Sequence, residues 1–286
     1  MRNRKTLKEL TIKDNFMFGA VMSDERNCKR LLELILQFPI QRVEVSKEKS
    51  FLYHPEYKGV RLDVYAKDEK NTHYNVEMQA VRELSLGKRA RYYHSQIDME
   101  LLLSGAEYAE LPNTFVIFIC DFDPFGLEKY CYTFESRCLE ELNLNLPDGS
   151  RSIFLNTRGK NPEDVPETMV KFLNFVKADL QESTKDFGDE FVESLQRSVQ
   201  QIKESRVMEE KFMVLHEMIK RERAEGKAEG KAEERAEAII ELLEELGEVS
   251  EELREQIRQE EDLAILKKWF KQAAKANSVE QFKQGM

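Results

Sequence analysis

The sequence predicts an α/β domain, a mixed sheet flanked by helices, followed by a helical C-terminal region. Three observations carry this. Helical apolar spacing at the start gives way to three strand-like segments, a long helical segment and a further strand, an order that packs helices against a sheet. The run Thr114-Phe-Val-Ile-Phe-Ile-Cys is apolar throughout, the mark of a strand buried on both faces. From about Pro162 onward the periodicity is helical alone.

Thr11-Ile-Lys-Asp-Asn-Phe-Met-Phe supplies a cap and an apolar face for a first helix. Asp24 caps a second, whose buried side is expected to hold Cys28, Leu31, Leu32, Leu34, Ile35 and Phe38, and Pro39 stops it. The three strand-like segments are Arg42 to Leu52, Val60 to Ala66 and Thr72 to Ala80, with a short polar hairpin loop at Lys67–Asn71 between the last two. A helix is expected from about Leu86 to Ala109, opening with Lys88, Arg89 and Arg91 and ended by Pro112 and Asn113. Tyr130 to Phe134 and Ser152 to Asn156 read as further strands.

Beyond these, Met169, Phe172, Leu173 and Val176 form one helical face, and Phe191, Leu195, Val199 and Ile202 another. The stretch Arg223 to Glu237 repeats with period four. On a helix it places Ala224, Ala228, Ala232 and Ala236 on one ridge between a basic and an acidic ridge. Two readings stand: a self-associating segment, or a solvated linker weakened by Gly226 and Gly230. A short helical bundle follows, with Ser250 and Asp262 as N-caps.

Net charge is −10, which argues against a general nucleic-acid binder, but its distribution is uneven. Residues 1–100 carry 19 Lys+Arg against 15 Asp+Glu, and residues 101–286 carry 25 against 39. The positive excess lies where the candidate site falls, as a polyanionic partner would favour. No run of 18 apolar residues exists, so no membrane span is expected. The basic start is followed by no apolar run, so neither is a secretory leader. The four cysteines and four histidines show no metal-ligand spacing. A reduced, cytoplasmic protein is expected.

The residues that carry chemistry are Asp63, Glu77 and Gln79. Asp63 interrupts an apolar strand pattern, and Glu77 and Gln79, two apart, share one strand face. If Ala66 faces Thr72 across the hairpin, Asp63 lies opposite Asn75 and is a diagonal neighbour of Glu77. Two carboxylates so placed repel unless a cation or proton offsets them. Mg²⁺, which takes oxygen ligands and keeps several waters, suits the pair; it polarises a phosphodiester and acidifies bound water. The same residues on a solvated sheet face are the competing reading. No phosphate-binding Gly-x-x-x-x-Gly-Lys-Ser/Thr loop is present.

The ordered set Gly59-Val-Arg-Leu-Asp-Val-Tyr-Ala-Lys-Asp, Tyr74-Asn-Val-Glu-Met-Gln and Lys88-Arg-Ala-Arg-Tyr-Tyr-His-Ser resembles the PD-(D/E)XK nuclease superfamily. More narrowly it resembles the recombination-promoting nucleases and transposases of bacteria. Ile12-Lys-Asp-Asn-Phe-Met-Phe, Leu103-Ser-Gly-Ala-Glu-Tyr, Val116 to Phe125, Phe154 to Gly159 and the Glu-Gly-Lys repeat extend the resemblance over roughly residues 7–240. It implies a restriction-endonuclease-like core and Mg²⁺-dependent DNA cleavage of weak sequence selectivity, linked to recombination or mobile DNA, with Mn²⁺ as a substitute. It also implies that Asp63 and Glu77 ligate the metal together with the backbone carbonyl of Met78, with Asp14, or less favourably Glu33, as an added ligand. Asn15 stands where many relatives carry aspartate, and Gln79 where the wider superfamily has lysine; glutamine can orient a water but brings no charge. Lys88, Arg89 or Arg91 is then expected to supply the cation. Lys88 and Arg91, sharing a helix face, are favoured for phosphate contact. Tyr92 and Tyr93 are expected to pack or support the site.

The expected organisation is a nuclease-like domain over 1–160, a helical extension on its core over 161–222, a charged repeat helix or linker over 223–238 and a small helical region over 239–286. DNA is the expected partner, with homo-oligomerisation through the C-terminal region. The alternative is a nuclease-fold protein that binds DNA or assembles without cutting.

Overall fold

In the computed structural model, which describes residues 5–46, 50–51 and 59–286, the chain divides into two units, Met1–Glu209 and Glu210–Met286.

In the first unit, helix α1 (Asn15–Met22) has Asp14, from the expected capping stretch, at its N-cap position. Helix α2 (Glu25–Leu36) starts where the Asp24 carboxylate accepts the Arg26 N–H. It ends at Gln37, left-handed at φ 58°, so Phe38 leaves the helix and is exposed instead of joining its buried side. The strands are β1 (Val43–Ser46), β2 (Ser50–Phe51), β3 (Val60–Arg61), β4 (Val64–Asp68), β5 (His73–Gln79), β6 (Thr114–Cys120), β7 (Cys131–Phe134) and β8 (Ser150–Asn156). Strands β2 and β3 form their own ribbon; the others form one mixed sheet in the order β1-β4-β5-β6-β8-β7. Residues 47–49 and 52–58 lie outside the described residues, and with them positions 47–49 and 52 of the first expected strand.

Helix α3 (Leu86–Leu101) is the crossover that lets β6 lie parallel to β5. It stops at Leu101, short of the expected Ala109, where Leu102 turns extended. Strand β6 runs parallel to β5 and β8 and is buried along its whole length, as its unbroken apolar run requires. Leu86, Ala90, Tyr93 and Ile97 of α3 cover one sheet face with Val116, Phe118 and Phe154. The Phe118 and Phe154 rings stack at 5.3 Å. Helix α5 (Glu190–Glu204) packs on α1 and α2, and the buried Asn27 amide donates to Ser198 across that seam. Helix α4 (Glu167–Lys177) buries Met169, Phe172, Leu173 and Val176, all on the expected face.

The charged repeat lies in a continuous helix, α6 (Arg206–Glu244). In the second unit, Ala232 and Ala236 of its small-residue ridge are buried with Ile239, Ile240 and Leu243, whereas Ala224 and Ala228 are exposed. The side chains of Arg223, Glu225 and Glu229 lie outside the described residues. Helices α7 (Glu251–Arg258), α8 (Leu263–Ala273) and α9 (Val279–Gly285) complete this core, with Leu266 and Trp269 inside it. Ser250 and Asp262 cap α7 and α8 through the Leu253 and Ala264 N–H groups. No helix among the described residues is long and apolar enough to cross a membrane.

Candidate active site

The hairpin that carries the acidic residues pairs two residues away from the expected register. Ala66 pairs with Tyr74 rather than Thr72, and Val64 with Val76. The reason lies in Asp68. Its polarity suits a loop, yet its carboxylate is buried, accepting the Tyr74 hydroxyl at 2.7 Å and the Thr72 N–H at 2.8 Å. The strand therefore runs on to Asp68, and the turn closes at Asn71, left-handed at φ 62°. Continuing this register puts Asp63 level with Glu77 itself.

Asp63 does not sit in a strand. The expected second strand is broken at Leu62 and Asp63, and Asp63 occupies a bend between β3 and β4. The break frees the neighbouring edge of β5, and the Asp63 side chain fills it: Oδ2 accepts the Met78 N–H at 3.0 Å. In return the Asp63 N–H donates to Glu77 Oε1 at 3.2 Å. The Glu77 carboxylate is thus held by the Asp63 backbone, and the Asp63 carboxylate by the backbone of Met78, the residue after Glu77. Because the Gln79 carbonyl accepts from Asp121 on the β6 side, the Met78 carbonyl, one residue back, faces the Asp63 side of the strand.

Glu77 is 1% exposed. Burial, then the charge of Asp63, raises its pKa, and the Arg89 guanidinium offsets part of this. Asp63 is raised as well, chiefly by burial, against its bonds from Met78 and Asn15. The pair thus holds its protons at pH values where exposed carboxylates have lost them, unless positive charge is supplied.

The cation the structure brings to the pair is Arg89. Its Nη2 donates to Glu77 Oε2 at 2.8 Å, and Nη1 to Gln79 Oε1 at 3.1 Å and to Glu83 at 3.2 Å. Its Nε donates to the Tyr93 hydroxyl at 2.6 Å, which in turn reaches Glu77 at 3.4 Å. The guanidinium lies over the Tyr93 and Phe118 rings. Gln79 is accounted for: its oxygen orients Arg89 and its amide donates to the Val81 carbonyl. Lys88 and Arg91, the pair favoured from the sequence, are exposed and line a separate cleft with Leu84, Ser85, Gly87 and Phe125.

Asp14 and Glu33 are engaged elsewhere. Asp14 accepts the Thr11 N–H at 2.8 Å and pairs with Lys5; Glu33 pairs with Lys29 and accepts the Ile40 N–H. The residue of α1 that reaches the site is Asn15, whose amide donates to both Asp63 oxygens at 3.1 and 3.4 Å. Sequence reasoning passed over Asn75, fully buried on the same strand face, which lies within electrostatic reach of Glu77 without a hydrogen bond of normal geometry. It also passed over Asp121, which gathers Lys13, Thr157 and Arg158 at the ends of β6 and β8. Alternation along β5 points to Asn75; nothing local points to Asp121.

Among the described residues no group of three His, Cys, Asp or Glu side chains could hold a metal. Two carboxylates and a carbonyl still form an all-oxygen donor set. It suits a hard divalent cation that keeps several of its own waters, and the pair's excess negative charge favours one. The four cysteines are free, and Cys28 and Cys120 are buried with thiols pushed up to about 12, so they stay protonated.

A family model described as PD-(D/E)XK nuclease family transposase matches residues 12–245. No curated protein and no solved structure matches the chain.

Proposed function

We propose, from the premise that this chain belongs to the PD-(D/E)XK nuclease family transposases, that its first unit is a divalent-metal-dependent DNA endonuclease. The observation that carries this is the junction of Asp63 and Glu77, a half-buried and a fully buried carboxylate joined through the Asp63 N–H, with the Arg89 guanidinium on Glu77. Asp63, Glu77 and the Met78 carbonyl would hold Mg²⁺ or Mn²⁺. Bound there, the cation supplies charge to a phosphodiester and acidifies water.

The protein's own residues do the rest. Asn15 fixes the Asp63 carboxylate from α1, and the Met78 N–H fixes it from β5. Arg89 stands in for the lysine that Gln79 replaces. Held by Gln79, Glu83 and Tyr93, its guanidinium keeps one orientation beside Glu77, with the second Nη2 N–H left to donate to a phosphate oxygen. Weak sequence selectivity, a cytoplasmic setting, a link to recombination or mobile DNA and self-association through the C-terminal helices complete the proposal.

Nicking of supercoiled plasmid tests it. Activity should require Mg²⁺ or Mn²⁺ and fall on the order of 10²-fold or more in Asp63→Ala and in Glu77→Ala. Equal cutting in EDTA, or full activity in both variants, would overturn it. A second reading, DNA binding without cleavage, is favoured by the Arg89–Glu77 ion pair, which already occupies one candidate ligand. It predicts retarded DNA mobility with no nicking under any metal.

A further inference from the structure

At the start of α3 lies a cleft of about 700 Å³ lined by Leu84, Ser85, Gly87, Lys88, Arg91 and Phe125. That size falls within the roughly 300–1,000 Å³ of sites that take a small ligand. Its walls differ in kind. Lys88 and Arg91 are exposed cations whose charged groups have no ion-pair or hydrogen-bond partner among the described residues. Opposite in character are Leu84, 94% exposed, and Phe125, 40% exposed.

Phe125 is held out rather than left loose. The Asp123 carboxylate accepts the N–H groups of Phe125, Gly126 and Glu128 and the Tyr132 hydroxyl. Beneath it, the Tyr132, Phe134 and Phe154 rings meet Phe125 at 4.9 to 5.1 Å, except that Phe134 and Phe154 are 5.6 Å from each other. An aromatic ring fixed by its own packing, part open to solvent, beside two unpaired cations is the pairing that takes a base on its π-face and the flanking phosphates on charge. The cleft adjoins the site through the chain: the loop bearing Phe125 begins at Asp121, bonded to the Gln79 carbonyl, and Lys88 precedes Arg89.

We infer that this cleft receives an unpaired base of the DNA strand next to the cut, stacked on Phe125 with its phosphates on Lys88 and Arg91. The substrate class is then DNA with single-stranded character, such as a bubble, a fork or a frayed end, in preference to uninterrupted duplex. This rests on the nuclease reading for its outcome in cutting, but not for its outcome in binding.

Fluorescence anisotropy of the full-length protein in EDTA separates the two. The probes are a labelled duplex, the same duplex with a central bubble, and the single strand. Wild type should bind the bubble and the single strand more tightly than the duplex. Phe125→Ala should weaken those two roughly ten-fold, the worth of one stacked base, and leave the duplex within two-fold. Phe125→Leu, which keeps an apolar side chain on the aromatic cluster, should behave the same way, and Phe125→Trp should restore binding. Lys88→Ala and Arg91→Ala should each lower the salt dependence, by about 0.9 unit of slope on the duplex and about 0.7 on the single strand. If both Phe125→Ala and Phe125→Leu bind all three probes as wild type does, or weaken all three equally, the inference falls. Failure of the nuclease reading shows differently, as absent nicking with the bubble preference intact.

Discussion

Replacing Arg89 by methionine removes the guanidinium that faces Glu77 while keeping an apolar stem over Tyr93 and Phe118. Breaking a buried ion pair costs about 3–5 kcal/mol because the remaining charge is stranded. Here the Glu77 side chain is 2% exposed but Arg89 is 30% exposed, and a proton can replace the lost cation, so about 2–3 kcal/mol is the working figure. The loss must depend on pH. Burial raises the folded-state pKa of Glu77 from 4.5 to about 7, so its stabilising contribution is complete below about 4.5 and declines as pH climbs through about 7. Without Arg89 the folded value moves higher, and the decline continues above pH 7 where the wild type levels off. Urea unfolding of both proteins in EDTA at pH 5, 7 and 9 reads this out. The gap should be small at pH 5 and widen toward pH 9, by at most about 1.4 kcal/mol per pH unit. A gap that stays constant across the range, or is under about 1 kcal/mol at pH 9, would show that Arg89 does not hold the charge on Glu77.

Asn15→Asp places a third carboxylate on Asp63, so it should destabilise the metal-free protein by about 1–3 kcal/mol yet tighten Mn²⁺ binding by calorimetry; unchanged Mn²⁺ affinity would put Asn15 out of reach of the ion. His94, bonded to Thr114 and Ser152, is depressed by burial from 6.5 to about 4. Being neutral in the fold, it costs nothing above pH 6.5, and as pH falls toward 4 the unfolded chain takes up the proton first. The wild type should thus lose on the order of 3 kcal/mol across that window relative to His94→Gln, and parallel unfolding curves would refute it. Gly159→Ala would set a methyl 2.7 Å from the Tyr130 Cα and should cost about 1–3 kcal/mol in thermal unfolding. Gly226 and Gly230 face open space within α6, so converting both to alanine should raise helix content by circular dichroism and add about 1 kcal/mol each.

Alternation was the most reliable guide the sequence offered. It set Glu77 and Gln79 on one face of β5, and the unbroken apolar run marked β6 as central, a strand buried on both faces along its whole length. The register of the hairpin was not legible. It turns on Asp68, a loop-like residue that a tyrosine hydroxyl draws into the fold, and no local pattern announces that bond. Choosing among Lys88, Arg89 and Arg91 required the rotation of α3. The buried stripe Leu86, Ala90, Tyr93 and Ile97 fixes that rotation, and Arg89, one turn before Tyr93, lies at its margin. The i,i+3 spacing that groups Lys88 with Arg91 carries no information on which cation faces Glu77. The break at Asp63 was hidden because Val60 to Ala66 looks like an ordinary strand; only the side chain's use of the Met78 N–H shows why the ladder stops there.

The seam between α5 and the two N-terminal helices has a consequence for synthesis. Asn27 waits for Ser198, so at about 5–20 residues per second a ribosome needs roughly 10–35 s between delivering one and the other. Throughout that interval the surface of α1 and α2 that α5 later covers stands open on the nascent chain. Asn15, which braces Asp63, belongs to one of those helices, so the packing behind the candidate site is completed only when translation has nearly run through the first unit. A chain truncated before α5 would leave that apolar surface of α1 and α2 uncovered and prone to aggregate.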